Sequence, residues 1–292
     1  MSNYVIITDA TADLTPELIN QYQLEQIPME VWVDQDMFHI YPDEHEIKIQ
    51  DFYDKLREGK RGRTTLINVA TFMEFFQPHL EAGNDILYLG VTSTLSGTIS
   101  QAKTASELLQ KKYPNNQIII VDSFTSSLGL ALLTMKASQK KIEGLSIQEN
   151  ADFIKSIRHR MNAIFTVPNL DSLRKGGRVR GATALIANLL GIKPVLHMDK
   201  EGNLVSLKNI RGWPKALKEV ALQVVERLPK ELASEEIVFI GHSDNLLDAQ
   251  RIGGFIQELV PVKEIKYAYL GPVIGAHGGP ATLCVFFLGT HR

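Results

Sequence analysis

Ile86-Leu-Tyr-Leu-Gly-Val-Thr-Ser-Thr-Leu-Ser-Gly-Thr-Ile-Ser-Gln-Ala-Lys103 is the stretch around which the chain is organised. A short apolar run ends at Gly90, hydroxyl residues crowd the positions from Thr92 to Thr98, and a helical pattern begins at Ser96. Read physically, a buried strand delivers the chain to the start of a helix. There, unpaired backbone N–H groups and side-chain hydroxyls converge on one spot, which suits an anion. The same residues also describe a plain capped strand-to-helix turn.

Two further strands end in similar turns. Val5–Ile7 runs into Thr8-Asp-Ala-Thr-Ala-Asp13, and Gln117–Val121 runs into Asp122-Ser-Phe-Thr-Ser-Ser127. Strands alternating with helices argue for a parallel, helix-covered sheet, in which such turns line one common edge. Outward from there, Thr15-Pro16-Glu17 starts a helix, and Asp34-Gln-Asp36 joins two strands as a hairpin. Helices are expected at about 49–58, 69–81, 128–141 and 146–160, and Ile164–Val167 reads as a strand. After Pro168 the character changes. Leu170-Asp-Ser-Leu-Arg-Lys-Gly-Gly-Arg-Val-Arg180 is basic and glycine-broken, and a short apolar helix over Ala182–Leu190 follows. A hairpin around Asp199-Lys-Glu-Gly202, then alternating helices and strands, complete a second α/β unit. Gly271–Pro280 reads as a loop and Thr282–Leu288 as the last strand. The fold expected is two-lobed α/β: residues 1–165 with a mainly parallel helix-covered sheet, and residues 166–292 as a smaller α/β lobe.

At 292 residues, with 44% hydrophobic and 22% charged residues, the composition is that of a soluble globular protein with a sizeable core. Lys plus Arg number 31 against 33 acids, a balance that selects neither nucleic acid nor a membrane surface. No secretory leader and no membrane span is visible, and the single cysteine, Cys284, fits a reducing compartment. A cytoplasmic protein is expected. The glycine fingerprints of dinucleotide and nucleotide sites are absent. Ser96, His277 and Asp9 or Asp122 could in principle form a hydrolytic triad, but Ser93-Thr-Leu-Ser-Gly97 is not a nucleophile elbow. No histidines fall at metal-ligand spacing except His39 and His45, so no metal is expected. Thr64 and Thr65 sit in a polar break that also reads as a helix cap, and His277 lies in a glycine- and proline-rich loop able to face a ligand. Arg174, Lys175, Arg178 and Arg180 form a basic patch, either a solvated face, a carboxylate clamp or a docking surface.

Taken together, Ile7–Leu14, Thr94-Leu-Ser-Gly-Thr98, Val121-Asp-Ser123, Leu170–Arg178 and Gly271–Pro280 resemble the DegV family, in the family's order and across nearly the whole chain. The resemblance implies a two-lobed fold burying a long-chain fatty acid, such as palmitate, in a cleft between the lobes. Some members, the FakB-type proteins, present the acyl carboxylate to a separate fatty-acid kinase. Carried over by position, Thr64, Ser96 and the Gly97 amide would hold the carboxylate, with His277 and Arg174 at the head-group mouth. The basic patch becomes a candidate kinase-docking surface, with no catalysis and no cofactor expected. Apolar segments such as Ala184–Leu190 and Val285–Leu288 are candidate tunnel walls. One departure stands out: the family commonly has Gln-Pro-Ser where this chain has Leu66-Ile-Asn68. The alternatives are an enzyme acting on a small phosphorylated or carboxylated substrate at the same edge, and a protein-interaction module built on the basic patch.

Overall fold

The computed structural model describes residues 3–178 and 191–292. The expected helix over Ala182–Leu190 and Arg180 of the basic patch lie outside the described residues.

The first lobe runs β1 (Tyr4–Asp9), α1 (Pro16–Tyr22), β2 (Leu24–Ile27), β3 (Met29–Val33), β4 (Asp36–Ile40), α2 (Ile49–Arg57), β5 (Gly62–Thr64), α3 (Val69–Glu81), β6 (Asp85–Gly90), α4 (Thr98–Lys112), β7 (Ile118–Asp122), α5 (Ser127–Ile142) and α6 (Ile147–Ile157). Its four-stranded sheet has the order β2-β1-β6-β7 and is parallel throughout. The strand β6 is buried along almost its whole length, as expected for a parallel strand covered on both faces. β3, β4 and β5 make a small antiparallel sheet beside it.

The second lobe runs β8 (Met161–Thr166), α7 (Asp171–Lys175), β9 (Ile192–Met198), β10 (Leu204–Arg211), α8 (Trp213–Arg227), α9 (Lys230–Ala233), β11 (Ile237–His242), α10 (Leu246–Leu259), β12 (Glu264–Tyr269), α11 (Pro272–Gly278) and β13 (Leu283–Leu288). Its sheet has six strands in the order β10-β9-β8-β13-β11-β12, so the lobe with fewer residues carries the wider sheet. All of β8 pairs inside this sheet. The expected division at 165/166 therefore cuts a strand, and the second lobe begins by Met161. Gly271–Pro280, expected as a loop, contains the helix α11. Pro272 sits at its first position, where a missing N–H costs nothing, and the glycines make room for close packing. A side chain at Gly275 would press into Phe52 and Tyr53 of α2.

The helix α5, Ser-Leu-Gly-Leu-Ala-Leu-Leu-Thr-Met-Lys-Ala-Ser-Gln-Lys-Lys-Ile, has no charged residue over its first nine positions and is buried there on all sides. Leu128, Leu130 and Leu132 share one core with Leu87 of the first sheet and with Phe165 and Phe286 of the second. The lobes thus meet across a common hydrophobic core rather than through a linker.

A second seam forms at the β9–β10 hairpin. Asp199 Oδ1 accepts from the Glu201 and Asn203 amides and shapes the turn. The Gly202 carbonyl accepts from the Thr92 and Thr94 hydroxyls of the opening stretch. Gly202 has φ +83°, and a side chain there would overlap Thr92 and crowd the Phe124 backbone. Gly202→Ala is expected to cost about 1–2 kcal/mol through the left-handed backbone alone. Its melting curve checks this, and wild-type stability would mean that the turn relaxes off the first lobe.

Candidate functional site

The hydroxyl-rich turns after β1, β6 and β7 do share one edge, and the second lobe covers it. Between them lies a cavity of about 850 Å³ of empty space, its open mouth included. Thr11, Ser96, Ser126 and Ser127 reach it from the three turns. Most of the remaining wall is apolar: Val91 and Leu95 from the first lobe, and Phe165, Met198, Leu204 and Phe286 from the second.

Thr64, Ser96, Arg178, His277 and Thr282 are polar lining residues with identifiable supports. Thr64 ends β5, whose register with β3 pairs it to Val31. Gly62 lets β5 approach α11 closely, since a Cβ there would lie 2.9 Å from the Ala276 Cβ. That approach brings Thr64 Oγ1 to 2.9 Å from His277 Nε2. On its other side the His277 ring packs against Gly176, and Nδ1 is buried without a hydrogen-bond partner. Burial, reinforced by the Arg178 charge, pulls His277 down to about 4. The imidazole is therefore neutral at pH 7.

Arg178 is the cation among the described residues that line the cavity. Gly177 (φ +72°) ends α7 with the reverse turn in which the Arg178 amide donates to the Leu173 carbonyl and the Gly177 amide to that of Arg174. The turn carries Arg178 back toward the cavity that Leu173 also lines. Its guanidinium donates to the Leu95 and Gly176 carbonyls, at 3.2 and 2.6 Å. Among the described residues no carboxylate pairs with it. Burial disfavours its charge, so an anion in the cavity would be its natural partner.

Arg174, expected at the mouth, is exposed and does not line the cavity. On a helix it faces about 100° away from Leu173. Gly97 is also exposed and outside the lining. It is the residue before α4, and Leu66 lies over it, 3.3 Å from where a Gly97 side chain would begin. Ser96 does line the cavity; its Oγ is 2.8 Å from Thr98 Oγ1 and accepts from the Thr98 amide. In the altered loop Ile67 is buried and Asn68 caps α3 by accepting from the Thr71 amide. The cap expected around Thr64 and Thr65 is thus supplied by Asn68, and Thr64 is left in a strand.

No triad is assembled among these residues. Ser96 bonds Thr98, His277 bonds Thr64, and the two aspartates are committed elsewhere, Asp9 to Thr11 and Tyr88, Asp122 to the Ser93 and Phe124 amides. Among the described residues no cluster of His, Cys, Asp or Glu is arranged to hold a metal, and no helix is long and apolar enough to cross a membrane.

The family model described as an uncharacterised protein of the DegV family matches residues 3–290. The chain belongs to the DegV family. A DegV domain-containing protein of Clostridium perfringens is 37% identical over 289 residues, covering 99% of this chain and 98% of its own. Among solved structures, a DegV lipid-binding protein of Thermotoga maritima superposes with a TM-score of 0.86 at 27% identity, covering 99% of each chain. DegV of Bacillus subtilis, a fatty acid-binding protein, gives 0.84 at 25% identity over 99% of this chain and 100% of that one.

Proposed function

We propose that this DegV protein binds a long-chain fatty acid, with the tail in the inter-lobe cavity and the carboxylate at Thr64, Ser96, His277 and Arg178. The observation that carries the reading is an apolar cavity with a guanidinium on its wall that no acid among the described residues neutralises. The Thermotoga and Bacillus relatives, described as lipid- and fatty acid-binding, support it. A palmitoyl-sized tail has about fourteen methylenes at roughly 0.8 kcal/mol each, about 11 kcal/mol gross. Each hydrogen bond to the carboxylate adds about 1.5–3 kcal/mol. The tail supplies affinity and the head group sets direction, a division suited to a carrier without chemistry of its own. Arg174 and Lys175, exposed on α7 beside Arg178, fit the docking of a separate kinase that would act on the presented carboxylate.

Cys284, the chain's single cysteine, is buried in the cavity wall, where a bound acid would cover it. Native mass spectrometry of the purified protein is expected to show a fatty-acid adduct, or to gain one with added palmitate. In parallel, the adduct is expected to slow labelling of Cys284 by an apolar maleimide. A protein that carries no acid, takes up none and labels at the same rate with palmitate present would overturn the reading.

A further inference from the structure

The second-lobe wall of the cavity is one face of two paired strands. β13 runs antiparallel to β8, with Cys284 opposite Phe165, Phe286 opposite Ala163 and Leu288 opposite Met161. The first two rungs line the cavity, whereas Met161 and Leu288 belong to the packed core and do not. Thr282 precedes Cys284 on the same face and also lines the cavity, and its hydroxyl donates to the Gly278 and Gly279 carbonyls next to His277. The polar end thus lies at Thr282, and successive rungs step away from it by about 6.8 Å each. At the last lining rung a large ring faces the smallest side chain that has a Cβ. The Phe286 ring is itself held against α5, with Cδ1 3.1 Å from where a side chain on Gly129 would begin.

We infer that the Ala163–Phe286 rung is the chain-length gauge of the site: Phe286 stops the methyl end, and Ala163 leaves the space beside the ring in which the last methylenes lie. The inference rests on the fatty-acid reading above. It predicts opposite shifts from two substitutions. Ala163→Phe fills the space and moves preference to shorter acids; Phe286→Ala opens the floor toward Met161 and Leu288 and moves it to longer ones. Relative affinity should change by about fourfold for each methylene excluded or admitted.

The experiment equilibrates wild type and each variant with an equimolar mixture of saturated acids from lauric to arachidic and weighs the complexes by native mass spectrometry. Ala163→Val, a milder change in the same direction, serves if Ala163→Phe does not fold. Opposite shifts support the gauge. A wild type that binds acids while the variants keep its length distribution, or shift it the same way, overturns the gauge and leaves fatty-acid binding standing. A wild type that binds none of the acids overturns both.

Discussion

Thr64→Val combined with Ser96→Ala is expected to weaken binding of a long-chain fatty acid roughly a hundredfold while the fold stands. Both hydroxyls lie at the polar end and can donate to a carboxylate without bringing charge. Removing them deletes two hydrogen bonds to a charged group, about 3 kcal/mol in total and so about two powers of ten in affinity. The tail contribution is untouched because neither residue belongs to the apolar wall. Val preserves the shape of Thr64, and the loss of Ser96 Oγ removes one acceptor for the Thr98 amide at the start of α4. A change of about 1 kcal/mol in folding stability is the scale of such a cap. Titration calorimetry with palmitate, alongside chemical denaturation, separates the two effects. Wild-type affinity in the double variant would move the carboxylate away from Thr64 and Ser96. A loss matched by unfolding would make the residues structural.

What was legible in the sequence divides along the range of the interactions. Local signals were reliable: the proline and threonine opening α1, the hairpin around Asp34, and the helix start at Ser146 all form. The convergence of the hydroxyl turns on one edge followed from the strand–helix alternation, because a parallel sheet leaves them no other place. Glycines misled. Gly271 and Gly275 make the α11 segment read as a loop, yet they are spacers that let a helix lie against Asp13, Phe52 and Tyr53, partners remote in sequence. The choice between Arg174 and Arg178 turned on one left-handed residue, Gly177, whose turn reverses the chain just after a helix too short to show a periodic face. The basic run and the paired glycines were visible; which cation they turn inward was not. The central place of β13, antiparallel to both neighbours, depends on a pairing with β8 across more than a hundred residues and has no local signature.

Asp13→Asn is expected to stabilise the protein by about 2–3 kcal/mol at pH 8 and to give little or nothing near pH 4. Asp13 joins the lobes. Its Oδ2 accepts from the Ser127 hydroxyl, and Oδ1 lies against the Gly271 backbone at the start of α11 without a well-aligned hydrogen bond. Burial raises its carboxyl from 3.8 to about 7; the Ser127 and Gly271 contacts oppose the shift, and the nearby Asp9 charge adds to it. Among the described residues no cation offsets the burial. A folded pKa above the unfolded one means that the native state holds the proton more tightly. The stabilisation is complete below about 3.8, declines as pH rises and is gone above about 7, a swing of about 4 kcal/mol. Asn removes the swing, keeps an acceptor for Ser127 and suits the left-handed backbone at position 13, where φ is +53°. The weaker hydrogen bonds of a neutral amide reduce the net gain to the figure above. His277 acts in the opposite sense in both proteins. With its pKa pulled from 6.5 to about 4, its contribution is complete above 6.5 and is lost as pH falls toward 4. The difference between variant and wild type cancels the His277 slope, so urea denaturation of both proteins across this range isolates Asp13. An equal difference at pH 4 and pH 8 would show that Asp13 keeps an ordinary carboxylate pKa in the fold. A difference that grows with pH would establish that the joint between the lobes is built around a carboxyl group that gives up its proton near neutrality.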